Sequence, residues 1–144
     1  MTVDYVISTD GATSGKRAAC AAVLSREGEV VEQRSRYLPE VDGYTLAAEV
    51  AGVALASDFF AASAPPQIIT IETDNPDVPR VIQEAYRPPQ FSRIPAHLLS
   101  RARTFCHAHR VTFEIHPRNS TQGLRRADRL AEKRLWRKRR RKTV

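Results

Sequence analysis

Four acidic side chains stand where an acid is costly. Asp10 closes the apolar run VDYVIST that starts at Val3, and Gly11 follows it at once. Glu49 lies in an alanine-rich stretch, three residues after Leu46 and four before Val53. Asp74 closes the run QIITIET, and Asp128 interrupts a stripe made by Leu124, Ala131 and Leu135. At helical spacing Glu49 and Asp128 fall on or beside an apolar face. A carboxylate there must be paired, protonated or bound to a cation. Each acid alone has an ordinary explanation. Asp10 suits a turn, Asp74 suits a helix cap, and Asp128 has Arg125, Arg126 and Arg129 within pairing reach. Taken as a set, four carboxylates converging on one spot repel each other and call for a divalent cation.

The elements around them decide whether they converge. Val3–Thr9 reads as a strand and Gly11–Arg17 as a turn. Ala18–Ser25 and Val30–Leu38 read as two more strands joined by the tight turn Arg26-Glu27-Gly28-Glu29. Tyr44–Ala62 has helical period, with Ala64-Pro65-Pro66 as its stop. Gln67–Thr73 is a nearly continuous apolar strand after a helix, which implies parallel pairing. A short helix follows, capped by Asn75 or Asp74 and running to about Tyr86. Arg87–Ile94 is a linker, Pro95–His109 a helix, Val111–His116 a fifth strand, and Leu124 to about Arg139 the last helix. The order β-β-β-α-β-α-α-β-α predicts an α/β fold, three antiparallel strands and then parallel ones, flanked by helices. The first strand is expected at the centre of the sheet. Asp10 and Asp74 would then lie outside the same strand ends, where ligands gather in α/β sheets.

The chain has 144 residues, 42% of them hydrophobic, which suits one domain of ordinary core size. Lys and Arg number 23 against 16 Asp and Glu, a net charge of +7. Eight of the basic side chains fall in KRLWRKRRRK at 133–142. Such an excess favours anionic partners, nucleic acid first. Residues 1–137 read as the folded domain and 138–144 as a basic C-terminal tail, disordered after Arg137. Cys20 and Cys106 imply no disulfide framework. No signal pattern or membrane-length apolar run is visible, so a soluble, cytoplasmic monomer is expected. Cys106-His107-Ala108-His109 lacks the second ligand pair that zinc needs.

The chain resembles the ribonuclease H family. The matching pieces are STDGA at 8–12, LAAEVAGVALA at 46–56, TIETDN at 70–75 and RRADRLAEK at 125–133. They span about Val3 to Leu135. The resemblance implies an RNase H-like fold with a mixed five-stranded sheet. It implies an endonuclease that cuts the RNA strand of an RNA–DNA hybrid. Asp10, Glu49, Asp74 and Asp128 would hold two Mg²⁺ ions, for which Mn²⁺ can substitute. Asp10 would bridge the two ions. One ion would activate water and the other would stabilise the leaving 3′ oxygen. Glu49 would sit near a ribose 2′-hydroxyl.

The sequence departs from the family pattern in its loops. The segment after Asp10 is short and basic, and 87–94 is too short for the family's basic protrusion. The chain therefore resembles a handle-less form, in which the C-terminal basic residues would take over the protrusion's grip. His116 lies nearer the strand end than the family's loop histidine, where a proton-transfer or product-release role competes with a plain strand-end histidine. Leu124 and Arg125 stand where an Asn-Glu pair is common. Gly11, Thr13, Ser14, Lys16, Arg17 and Asn75, next to the matched carboxylates, are the expected nucleic-acid contacts. Arg118 and Asn119 in the loop before the last helix join them. So do Trp136, Arg137, Lys138 and Arg139 near the C-terminus. Two further readings fit the altered loops: a non-catalytic or weakly active binding module of the same fold, and a same-fold nuclease acting on DNA.

Overall fold

A computed structural model describes the backbone of residues 4–142 and the side chains of 4–137. Five strands form one sheet: β1 (Asp4–Ser14), β2 (Arg17–Arg26), β3 (Glu29–Tyr37), β4 (Ile68–Thr73) and β5 (Arg110–Ile115). Its order is β3-β2-β1-β4-β5, so β1 is central, as expected. The pairs β1–β2 and β2–β3 are antiparallel, and β1–β4 and β4–β5 are parallel. Four helices complete the fold: α1 (Thr45–Ala56), α2 (Asp77–Gln83), α3 (Ala96–Ala108) and α4 (Gln122–Lys142).

The two faces of β2 explain the layering. Ala18, Cys20, Ala22 and Leu24 pack with α1 and α3, while Ala19, Ala21 and Val23 pack under α4. The period of two sends alternate side chains to opposite faces, and both faces are covered. The layer under α4 is built largely of alanines, with Ala12 from β1 and Ala127 and Ala131 from the helix. Small side chains let α4 lie close to the sheet. α1 is buried along its whole length from Leu46 to Ala56.

Several boundaries differ from the sequence reading. β1 does not end at Asp10 but pairs on with β2 to Ser14↔Arg17. The turn is only Gly15-Lys16, because Ala12 and Ala19 gain from facing each other under α4. α1 stops at Ala56, well before the prolines. A 3₁₀ turn at Ser57–Phe59 follows, and Phe60 becomes extended. Phe60 thereby packs against Tyr5, Phe105 and His109, a burial that continued helix would forgo. α4 runs to Lys142 rather than fading after Arg137. Arg and Lys are good helix formers, and this segment has no Gly or Pro to stop it. Thr143 and Val144 of the expected tail lie outside the described residues. Among the described residues no helix is long and apolar enough to cross a membrane.

Candidate metal centre

The register of the parallel pair sets the site. β1 and β4 pair from Asp4↔Ile68 to Ser8↔Glu72. Asp10 and Asp74 each lie two residues beyond that last parallel pair, Asp10 still within β1 and Asp74 just past the end of β4. Glu49 reaches them from α1 because Gly11 lets the helix touch the strand. A Cβ at Gly11 would stand 2.6 Å from the Ala48 carbonyl carbon and 2.7 Å from the Glu49 nitrogen. Asp128 comes from α4, whose start is pinned to the sheet. Thr121 Oγ1 accepts from the Leu124 amide at 3.0 Å, an N-cap, and donates to Glu72 Oε1 at 3.0 Å. Ser8 Oγ donates to the same oxygen at 2.7 Å.

Carboxylate oxygens of Asp10, Glu49 and Asp74 lie within 4.8 Å of one another. Asp10 is also within hydrogen-bond reach of Asp128 and Glu49. Asp10 is 4% exposed and Glu49 5%. The four line an open cavity of about 250 Å³, with Thr13, Thr45 and Arg118 at its walls. Burial, then the charge of Asp74, pushes the Asp10 carboxyl up from the ordinary 3.8 to about 8. Burial, then the charges of Asp10 and Asp74, pushes Glu49 well above its ordinary value. Burial also raises Asp74, against the pull of the Arg118 guanidinium. Arg118 Nη2 stands 3.6 Å from Asp128 Oδ1.

The donor set suits a hard divalent cation. Every candidate ligand is a carboxylate oxygen. Glu49 Oε2 is buried without a hydrogen-bond partner, a costly arrangement that a cation would relieve.

A pH dependence follows. Between pH 3.8 and about 8 native Asp10 keeps a proton that the unfolded chain has released. Its contribution to stability is full below 3.8 and is lost as pH rises through about 8. Asp10→Asn removes that loss. In chelator, the Tm advantage of the variant over wild type should grow from pH 5 to pH 8. A constant difference would refute the assignment.

The other sequence-selected residues divide. Thr13 Oγ1 lies 3.0 Å from Thr45 Oγ1 at the cavity wall. Lys16 is exposed in the turn after β1, next to half-buried Ser14. Asn75 Oδ1 accepts from the Asp77 amide at 2.9 Å and caps α2. Arg118 is 71% exposed beside Asp128, and neighbouring Asn119 is exposed, with φ 58. His116 does not line the cavity. Its Nε2 lies 3.1 Å from Glu114 and 3.6 Å from Glu72, in a second group of three possible ligands. Arg17 is turned inward, over the Tyr37 and Trp136 rings. Arg137 is exposed on α4, while the side chains of Lys138 and Arg139 lie outside the described residues. His109 is occupied by structure, its Nδ1 accepting from the Gln67 amide at 3.0 Å. The sequence reading missed Glu132, which lines the cavity one turn after Asp128.

No protein-family model and no curated protein matches this sequence. Solved structures do match. An N-terminal RNase H domain from Mycobacterium tuberculosis superposes with a TM-score of 0.75 at 20% identity, covering 94% of this chain and 96% of that one. RNase H1 from Halobacterium salinarum gives 0.74 at 21% identity, with 93% and 98% covered. LC11-RNase H1, solved in complex with an RNA/DNA hybrid, gives 0.67 at 19% identity, with 92% and 97% covered. The chain therefore has the RNase H fold, with a cluster of buried and half-buried carboxylates where β1, β4, α1 and α4 meet.

Proposed function

We propose that this protein is a divalent-metal-dependent endonuclease that hydrolyses the RNA strand of RNA–DNA hybrids. The observation that carries the reading is the trio of buried Asp10 and Glu49 with half-buried Asp74, lining one open cavity, with one Glu49 oxygen buried and unpartnered. The hybrid bound by a structure of the same fold supports the substrate class. Mg²⁺, with Mn²⁺ as substitute, is the proposed cofactor, two ions per site. Bound there, divalent cations supply the Lewis acidity and activated water that phosphodiester hydrolysis uses.

The protein's own groups would do the rest. Asp10, Glu49 and Asp74 would hold the cations, with Asp128 offering a further carboxylate from α4. Glu49, on the helix side, would lie near the ribose 2′-hydroxyl that separates RNA from DNA. Thr13 and Thr45 offer hydroxyls to phosphate oxygens at the rim. Arg118, largely exposed, neutralises a phosphate that displaces it from Asp128.

That same Arg118–Asp128 pair favours a second reading, a binding module of this fold in which a guanidinium takes the place of metal charge. One experiment separates the two. Labelled RNA–DNA hybrid is incubated with Mg²⁺ and with Mn²⁺, beside duplex DNA and duplex RNA. Metal-dependent cutting confined to the RNA of the hybrid is expected. Salt-sensitive binding without cutting in either metal would leave the binding module, and cutting of duplex DNA would move the substrate class.

A further inference from the structure

Glu132 stands one helical turn after Asp128 and lines the same cavity. Its position is held. The Trp136 indole Nε1, a further turn along α4, donates to Glu132 Oε2 at 3.3 Å. The indole lies against Arg17, whose Cζ is 6.0 Å from the Trp136 ring centre and 5.6 Å from that of Tyr37. Arg17 Nη2 also donates to the Leu135 carbonyl at 3.2 Å. A run of contacts thus ties the first residue of β2 to the turn of α4 that carries Glu132, and fixes where this carboxylate stands.

We propose that Glu132 is a positioning residue for the cations of this centre, acting on their water shell and not as a direct ligand. The inference rests on reading the buried carboxylates as a metal centre. Three observations carry it beyond that reading. The centre already holds three carboxylates with oxygens within 4.8 Å of one another without Glu132. The unpartnered Glu49 oxygen, nine-tenths buried, marks the cavity as one that takes a cation. The Trp136 indole holds Glu132 on the wall while leaving its negative charge uncancelled. Mg²⁺ in such sites keeps several waters, and an anion on the cavity wall one turn from Asp128 would act on that shell. The cluster of Arg17, Trp136 and Tyr37 then has a purpose at the site.

The test is Mn²⁺ binding to the protein alone, read from the electron paramagnetic resonance of free Mn²⁺. Wild type, Glu132→Gln, Trp136→Phe and Asp74→Asn are compared. Gln keeps the shape and still accepts from the indole, so only charge is lost. A unit charge acting across water on a divalent cation changes affinity roughly three- to ten-fold. Glu132→Gln should weaken binding by that factor, less than Asp74→Asn does, and the gap should narrow as KCl is added. Trp136→Phe keeps the charge but frees the carboxylate, and should fall between wild type and Glu132→Gln. Wild-type affinity in Glu132→Gln would overturn the proposal. So would a salt-insensitive loss as large as that of Asp74→Asn, which would make Glu132 a direct ligand. A wild type that binds no Mn²⁺ would instead overturn the metal centre itself.

Discussion

Asp10→Asn and Asp74→Asn should each reduce metal-dependent cleavage of hybrid RNA by at least ~10³-fold, with the protein still folded. The expectation follows from geometry. Each substitution swaps an anionic oxygen for an amide at a point where three carboxylates lie within 4.8 Å. The amide keeps one neutral oxygen, but the lost negative charge weakens the hold on a hard cation and shifts its placement. The fold should survive the substitution, because these carboxylates repel one another. Asp10→Asn removes a buried group whose carboxyl is pushed up to about 8. In metal-free buffer it should melt at or above the wild-type temperature. Measured together, high stability and absent cleavage assign the residue to chemistry. Cleavage within ten-fold of wild type in either variant would refute the assignment.

The second large effect is expected at Gly11. A methyl there would stand 2.6 Å from Ala48 carbon and 2.7 Å from Glu49 nitrogen, both backbone atoms that no rotamer change can move aside. Gly11→Ala must therefore push α1 off β1. Overpacking of this kind costs about 3 kcal/mol, or ~10 °C in Tm for a chain of this length. The displaced segment carries Glu49, so cleavage should fall together with stability. Gly52→Ala is the control on the same helix. Its methyl meets nothing nearer than 3.3 Å, and helix propensity favours alanine, so its loss should be much smaller. Thermal melts of the three proteins decide the matter, and equal Tm values for wild type and Gly11→Ala would refute the close-approach argument.

The carboxylates were legible because charge interrupts hydrophobic pattern. Glu49 between Leu46 and Val53, and Asp128 between Leu124 and Ala131, are visible as misfits in helical stripes. The central place of β1 was legible from the order of elements. What pattern reading missed is decided by tertiary contact. Gly11 looked like a turn glycine, yet it lies within a strand and makes room for a helix. α1 ends where Phe60 finds Tyr5, Phe105 and His109, residues 45 or more positions away in sequence. Arg17, expected as a phosphate contact, also lies over rings from β3 and α4, which sequence pattern does not show. Glu132 did leave a signal. Asp128, Glu132 and Trp136 recur every four residues, one stripe along α4 that begins with a site acid.

Every residue of α1 from Leu46 to Ala56 is buried, and Glu49 rides in the middle of it. Local opening draws on segments with exposed hydrogen bonds and sparse burial, and α1 offers neither. Its amide protons should be among the slowest to exchange. The Glu49 side of the centre therefore has no loose segment of its own to fray. It should act as a rigid template, kept intact for as long as the domain is folded.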